Sequence, residues 1–479
     1  MKPAKRARIE FEPASTSYTI LKPPRPAKIE QTADIFRLND DCFEAIFKWL
    51  CAVDLPALHE TCVRIQNLVK VYFGRRYANK RAEIARINGI VAVKKYGELK
   101  DVIQNVSFRG MAKQRWPKWM TKQYTHDDID LLMYYVHSQC NEYPKVLRFE
   151  NMILEEKEGK IMDKVLGRVE VIEFVNCESE EFYQYVLKRS TNIKSLTVKQ
   201  CAFPNGHGVA SPWLQQRYPL LEHLDIQLDG TSSHLELDVF MQRNPQIKKF
   251  TCRSRLCSYL SKIQNVMNAI AALDLEELFL TVGGDCDFRS IYAQLLDISG
   301  RQQFRRLSLE FGSADVKDVF IDNLNNLAGI DKLYALHITN VDFAKDLPTN
   351  IDMLMNLKEL HLNNLANCDY SARMIANVTP NLELLIVRNS CYFTPSVVNF
   401  IQPFIECLPK LKKIVLAHDV WPRINHQLAF LNGKRQQLHG ACMVIIWTQP
   451  PKAGLKDTPK LTGKILIRMR PLYDEYEHL

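Results

Sequence analysis

The sequence lacks the motifs that mark the common classes of enzyme. It contains no GxxxxGK[ST] loop, no GxSxG elbow, no HExxH zinc motif and no GxGxxG fingerprint. Glycine is scarce, with 18 residues in 479, which disfavours a phosphate-cradling loop, and the 12 histidines do not cluster with cysteines at zinc spacing. We therefore expect a protein with no catalytic residues, no metal and no cofactor.

Signals for secretion and membrane insertion are also missing. No apolar run approaches the roughly eighteen residues that cross a bilayer. The N-terminal stretch MKPAKRARIE has no apolar signal region. The 13 cysteines include no CxxC pair, so reduced thiols are expected rather than a disulfide framework. These absences predict a cytoplasmic or nuclear protein that does not contact a membrane.

Positive charge is concentrated in one segment. Residues 64–123, the basic segment, hold fifteen Lys or Arg and three Asp or Glu, while the whole chain carries a formal net charge of +9. This segment either grips the phosphates of a nucleic acid or forms the solvated side of a connector, and we favour the connector because the charges follow no strict motif. A Pro-containing arm precedes it over residues 1–33, with a basic cluster at Lys5, Arg6 and Arg8 that is a candidate nuclear localisation signal.

A short apolar stripe follows the arm. In LNDDCFEAIFKWL, Phe43, Ile46, Phe47 and Leu50 recur at i, i+3, i+4 and i+7 behind a helix start at Asp41. Four large apolar side chains are too many for so short a helix to bury alone. A second helix of the same chain, a partner protein, or both must cover this stripe.

The motif LxxLxL, a short strand with three inward anchors, recurs from residue 140 onward. Eleven copies follow one another at steps of 24 to 29 residues. Their third anchors are Phe149, Phe174, Val198, Ile226, Cys252, Leu280, Leu309, Ile338, Leu362, Val387 and Leu416. Helical spacing between the copies predicts strand–helix units that bury their apolar faces only by stacking. The pattern predicts an α/β solenoid of about 11–12 units, with parallel strands on its concave face and helices on its convex face.

Side chains between the anchors face away from the core, so they are the candidate ligand contacts. Most are polar, but they turn apolar near the end of the array. The candidate substrate-binding residues are His361, Leu384, Ile386, Val415, Val444 and Ile446. Two interpretations of this apolar patch stay open. It binds a partner, or the C-terminal segment LTGKILIRM, residues 461–469, folds over it or pairs with CMVIIW at residues 442–447. By contrast, Cys177 and Cys201, just past the strands, are expected to satisfy turning backbone.

The helical unit resembles an F-box, and the whole chain resembles the F-box and leucine-rich-repeat proteins that are common in insects. The matching positions are Leu38, Ile46-Phe47, Leu50 and Asp54-Leu55, while Asn39 stands where the family has proline and the late tryptophan of the motif is absent. The resemblance implies an F-box at residues 34–73, a basic connector and N-terminal cap at 74–140, leucine-rich repeats at 141–448, and a C-terminal cap or tail at 449–479.

The resemblance also implies a function. The protein would be the substrate-recognition subunit of an SCF-type cullin ubiquitin ligase, bound through the adaptor to the cullin and RING subunits. The repeats would hold a protein substrate for ubiquitination and proteasomal degradation. The implied adaptor contacts are Leu38, Phe43, Ile46, Phe47, Leu50 and Leu55. The alternative is a non-catalytic nuclear scaffold or nucleic-acid-associated repeat protein that uses the basic segment.

Overall fold

The computed structural model divides the chain into two compact units, and the boundary along the sequence lies between Tyr72 and Phe73. The residues that the structure describes are 38–50, 54–87, 90–93, 103–110, 129–135, 144–177, 180–199, 201, 212–227, 237–253, 267–282, 295, 297, 305–311, 327, 330–339, 353–363, 368–388, 393–416, 421–448 and 460–469. The predicted arm at residues 1–33 and its basic cluster lie outside these ranges.

The N-terminal unit is helical. It contains α1 (Asp40–Phe47), α2 (Leu55–His59) and the first part of α3 (Val63–Tyr77). The side chain of Asn39, not that of Asp41, caps α1, because Asn39 Oδ1 accepts a hydrogen bond from the backbone N–H of Cys42 at 2.9 Å. Asn39 thus satisfies one of the free N–H groups at the helix start.

The apolar stripe of α1 packs partly within this unit. Phe43 and Phe47 are 2% and 1% exposed, and their ring centroids are 6.1 Å apart. The ring of Phe47 also lies 5.4 Å from that of Tyr72 on α3. Arg64 ties the start of α3 to α1, because it donates to the carbonyl oxygen of Leu38 at 2.7 Å. Helices of the same chain therefore cover one part of the stripe.

The C-terminal unit is built on a single sheet of 17 strands among the described residues. Their bounds are β1 (Arg81–Ile87), β2 (Ile90–Val93), β3 (Asn105–Arg109), β4 (Val146–Glu150), β5 (Val171–Val175), β6 (Ser195–Lys199), β7 (His223–Ile226), β8 (Lys249–Cys252), β9 (Glu277–Val282), β10 (Arg306–Phe311), β11 (Ala335–Thr339), β12 (Glu359–Asn363), β13 (Leu384–Arg388), β14 (Lys413–Leu416), β15 (Val444–Thr448), β16 (Lys460–Thr462) and β17 (Ile465–Met469).

The strands pair in sequence order. From β3 to β15 each strand runs parallel to the next, β1 continues the ladder beyond β3, and β17 continues it beyond β15. Only the two outermost strands are antiparallel, β2 on β1 and β16 on β17. The α/β class and the parallel sheet are thus confirmed. The ladder starts well before residue 141, at β1.

Helical segments connect many of the strands. They are α4 (Glu156–Gly159), α5 (Asp163–Leu166), α6 (Glu180–Arg189), α7 (Leu237–Arg243), α8 (Cys368–Val378), α9 (Phe393–Cys407), α10 (Trp421–Gln437), two 3₁₀ turns (Lys160–Met162 and Pro212–Gln215), and helical residues at 129–135 and 267–271. The core lies between these segments and the sheet. Phe108, Phe149 and Phe174 stack in register at 5.4 Å steps, and Phe182 of α6 packs edge-on against Phe149.

The turns after β4 and β5 use the polar side chains that the sequence places there. Asn151 and Asn176 adopt left-handed backbone with φ of 56° and 51°, and Asn176 Nδ2 donates to Asn151 Oδ1 at 2.7 Å. Cys177 Sγ donates to the carbonyl oxygen of Phe149 at 3.2 Å. The predicted role of Cys177 in satisfying turning backbone is confirmed. The described cysteines are free thiols.

The C-terminal segment extends the sheet. β17 pairs with β15 in the register Val444↔Ile465. The tight turn between β16 and β17 contains Gly463 at φ 54°, and a Cβ there would lie 2.5 Å from Oδ1 of Asn432, an atom that accepts from the N–H of Lys464. Residues 461–469 were expected either to fold over the apolar patch or to pair with residues 442–447, and the pairing is confirmed.

Candidate protein-binding surfaces

The helical unit leaves part of its apolar stripe exposed. Ile46 is 39% exposed and Trp49, just after α1, is 91% exposed, while Leu50 is half-buried. We call Ile46, Trp49 and Leu50 the α1 surface. A tryptophan this exposed leaves most of a large apolar ring in water, which is unusual unless a partner covers it. Leu38 is also partly exposed.

Three predicted adaptor contacts lie in the interior instead. Phe43, Phe47 and Leu55 are at most 2% exposed. Their assignment as direct contacts is therefore wrong, because the packing of α1 on its neighbours already covers them. Trp49 was missing from the predicted set, since it falls outside the i, i+3, i+4, i+7 spacing. Its size and its position three residues after Ile46 are the signals that could have found it.

The open face of the sheet carries a continuous row of side chains at the central position of each strand. In register along the parallel ladder from β1 to β15, these are Glu83, Ser107, Arg148, Glu173, Thr197, Asp225, Thr251, Phe279, Ser308, His337, His361, Ile386, Val415 and Trp447. They alternate with the buried anchors, so they lie on the face opposite the core. We call this set the central row.

Charges in the first half of the open face neutralise one another across neighbouring strands. Arg148 pairs with Glu173 at 3.0 Å, and Asp225 accepts from both Lys199 at 2.5 Å and Arg253 at 3.4 Å. Asp225 is buried and the Arg148–Glu173 pair is partly buried, and these pairs set the pattern of charge that a ligand meets.

The predicted apolar patch at the end of the array is only partly correct. Val444 and Ile446 face the core and are fully buried, because β15 pairs Ile414 with Ile446 and so continues the row of anchors. The outward side chains of β15 are Ile445 and Trp447. Assigning Val444 and Ile446 to the open face was therefore wrong. In VIIW every residue is apolar, so alternation cannot show which side chains point inward.

The other members of that patch lie on the open face with unequal exposure. Ile386 and Val415 belong to the central row but are only 1% exposed, so they offer no surface to a partner. Their assignment as exposed contacts is wrong. Leu384 is partly exposed. The remaining predicted contact, His361, lies in the central row at 9% exposure.

His361 stacks on His337 of the preceding strand. The ring centroids are 3.6 Å apart and the ring planes differ by 20°. The two rings line a cavity of about 240 Å³, the histidine pocket, with Arg253, Phe279, Ser308, Leu309, Glu310, Ile338, Thr339, Leu362, Asn363, Ile386 and Arg388. Burial and nearby guanidinium groups lower the pKa of His337 to about 4 and that of His361 to about 2.

Three basic residues in the described part of the basic segment form ion pairs within the chain. Arg81 pairs with Glu150 at 2.9 Å, and Arg109 lies 3.6 Å from Glu83. Arg64 pairs with Asp40 at 2.8 Å. Other members of the predicted basic and aromatic set lie outside the described residues, namely Lys94, Lys95, Lys113, Arg115, Trp116, Lys118, Trp119, Lys122 and Tyr124.

The comparisons with known proteins are negative. Neither the models of known protein families nor the curated proteins match this sequence. Among the residues that the structure describes, no three His, Cys, Asp or Glu side chains are grouped so as to hold a metal ion. In the same part of the chain, no helix combines the length and apolar character needed to cross a bilayer.

Proposed function

We propose that this protein is the substrate-recognition subunit of an SCF-type cullin ubiquitin ligase. The helical unit is the F-box and docks on the adaptor, and the sheet-bearing unit is a leucine-rich-repeat solenoid that holds the protein substrate. Catalysis then takes place on other subunits of the complex. The observation that carries the proposal is the exposure of Trp49, at 91%, and of Ile46, at 39%, beside the buried Phe43 and Phe47 of the same helical unit.

The α1 surface has the character of a binding hot spot. Tryptophan is among the residues that contribute most to protein interfaces, especially at the centre of a contact. Burying Trp49 is worth about 1.5 to 3 kcal/mol before the losses of association are subtracted, and Ile46 and Leu50, which are already partly buried, would each add less. The Asn39 cap and Arg64 hold the backbone of α1 in place, so this backbone does not have to become ordered on binding.

The open face suits a protein ligand. Its central row places one side chain per strand in register over fourteen parallel strands among the described residues, and the members that are not buried are available to a ligand. At about 4.8 Å between strands, such a row is long enough to contact a folded domain or an extended segment. The mixture of charged, polar and aromatic side chains along it supplies the variety of contacts on which specificity depends.

The test is co-purification of the SCF adaptor with the full chain. We expect Ile46→Asp combined with Trp49→Asp to weaken adaptor binding by about a hundredfold or more, because both side chains would bring a carboxylate into an apolar interface. Phe430→Asp is the matched control, since Phe430 is an exposed apolar residue on α10 at 45% exposure. Adaptor binding that persists in a folded double variant would exclude the proposal.

A further inference from the structure

We propose that the histidine pocket binds an anionic side chain of a protein ligand, either a carboxylate or a phosphorylated hydroxyl. The proposal names a chemical class for the substrate and therefore depends on the proposed function for the statement that the ligand is a protein. The pocket itself is defined by side chains of β8 to β13 in the sheet-bearing unit.

Three residues that line this pocket carry buried polar atoms without hydrogen-bond partners. Nε2 of His337, Nε2 of His361 and Oδ1 of Asn363 are buried and have no hydrogen-bond partner among the described residues. His361 is 9% exposed, so its ring cannot turn freely to water. Leaving a buried polar atom unsatisfied costs about 1 to 3 kcal/mol. A ligand group that bonds to all three atoms would recover that loss.

The two imidazoles, and the amide group of Asn363 after a half-turn, can donate hydrogen bonds to an acceptor. A neutral imidazole carries its proton on either nitrogen, so Nε2–H is available in one tautomer. The oxygen and nitrogen of an Asn amide exchange places by a half-turn, which turns Nδ2 of Asn363 into the pocket. A carboxylate or phosphate accepts several hydrogen bonds at once, and it is the natural partner for these donors.

The surrounding charges favour an anion over a metal ion. Arg306 and Arg388 act on the histidine pair, and both depress its protonation. Arg253 also lines the pocket, partly neutralised by Asp225 at 3.4 Å, and Arg306 is paired with Glu359 at 3.1 Å.

One carboxylate also lines the pocket. The carboxylate of Glu310 accepts a hydrogen bond from Thr281 Oγ1 at 3.3 Å, so part of its hydrogen-bonding capacity is already occupied. The guanidinium groups of Arg253 and Arg388 oppose a cation at the two imidazoles, whereas an anion would be attracted to them.

The shape of the pocket limits the ligand to about one side chain. A volume of about 240 Å³ accommodates a single acidic or phosphorylated side chain. Phe279 adds an aromatic ring to the lining, against which the methylene groups of that side chain could pack. Because the pocket opens on the central row, the rest of the ligand would lie along the open face.

The experiment measures sulfate binding to the full chain. Sulfate stays dianionic at neutral pH, and its binding is measured as a saturable rise in the thermal unfolding midpoint, against sodium chloride at matched ionic strength. Sulfate also stabilises proteins generally by exclusion from their surface, but that effect does not saturate. We expect His361→Leu and, separately, Arg388→Gln to raise the half-saturating sulfate concentration about tenfold or more.

The matched control is His223→Asn. His223 lies on the same open face, but its Nδ1 is 3.1 Å from the hydroxyl of Ser195, and it does not line the pocket. This variant should bind sulfate like the wild type. Arg388 is half-buried, so its variant reports on the pocket even if His361→Leu fails to fold. Absence of a saturable shift in the wild type, or an equal shift in all the variants, would overturn the proposal.

Two further probes identify the source of the anion. N-acetyl-phosphoserine amide and N-acetyl-glutamate amide are compared under the same conditions, and the one that saturates at lower concentration names the preferred group. Tighter binding of either one than of N-acetyl-serine amide supports the proposal. Binding of sulfate alone, with neither amide derivative, would show an adventitious ion only and would overturn the side-chain assignment.

The same variants separate this proposal from the proposed function. His361→Leu and Arg388→Gln leave the α1 surface intact, so both should co-purify with the adaptor as the wild type does. If the wild-type chain binds sulfate but no adaptor, the anion pocket stands and the ligase assignment fails. If it binds adaptor but no sulfate, the reverse holds.

Discussion

Arg435 offers the sharpest test of how the end of the array is held together. Its guanidinium group is fully buried and donates to five backbone carbonyl oxygens. These belong to Ile405 at 3.1 Å, Leu408 at 2.6 Å, Pro409 at 3.1 Å, Leu411 at 2.9 Å and Cys442 at 3.1 Å. One side chain on α10 thus joins the end of α9, the turn into β14 and the approach to β15.

The expected loss follows from the carbonyl groups that Arg435→Met would leave unsatisfied. The carbonyls of Leu408 and Pro409 keep backbone donors, from Leu411 N at 3.3 Å and Cys442 N at 3.0 Å. Cys442 is exposed, so water can reach its carbonyl. Counting only Ile405 and Leu411, at about 1 to 3 kcal/mol each, we expect a loss of about 4 kcal/mol. Methionine fills a similar volume, so a cavity contributes little to this figure. Desolvation lowers the pKa of the buried guanidinium group, so the charged form depends on the hydrogen bonds to its carbonyl partners.

The measurement is urea unfolding of the full chain followed by circular dichroism at the sheet signal. The matched control is Arg373→Met on α8, because Arg373 is 68% exposed and makes one ion pair with Glu406 at 3.4 Å. Such an exposed pair is worth less than about 1 kcal/mol. If Arg435→Met loses no more free energy of unfolding than Arg373→Met does, the argument from buried carbonyl groups is refuted.

Three further predictions concern the same unit. Gly463→Ala should lose about 1 kcal/mol or more of unfolding free energy in urea, since its backbone is left-handed and its Cβ would meet a neighbouring side chain; Gly433→Ala, inside α10 with open space, should gain up to about 1 kcal/mol. Ile446→Asp should abolish folding, whereas Ile445→Asp should fold with a native circular dichroism spectrum, and equal stability of the two would contradict the register of β15. Because burial lowers the pKa of His361 below its unfolded value, the unfolded state binds more protons below about pH 6.5, and stability should fall from pH 7 toward pH 4 more steeply than in His361→Leu.

The strands were predictable because their anchors alternate with polar residues at a constant repeat length. From β4 to β14 the third anchor of each strand is buried where the spacing placed it, as Phe149 and Leu416 illustrate at either end. The pattern failed at β15, where apolar residues occupy both faces and alternation carries no information. There, the register with β14 is needed to tell Val444 from Ile445.

The sites were harder to predict than the strands. The stripe on α1 was recognised from its spacing, but spacing cannot say whether Phe43 packs against the same chain or a partner, and burial decides that. The stacking of His337 on His361 follows from their equal position in successive repeats, 24 residues apart, which is a signal that the sequence does contain. Their unpartnered nitrogens depend on the surrounding side chains, which no pattern of residue types specifies.

Because the central row is in register, a whole repeat can be gained or lost without disturbing the alignment of the remaining strands. Deleting residues 339–362 would remove one step of the ladder and bring β11 beside β13, with the anchors still aligned. His337 would then face Ile386, and the histidine pocket would be gone while the sheet stayed whole. A fold of this kind can change its ligand by gaining or losing whole repeats, a route closed to proteins whose binding residues come from unrelated loops.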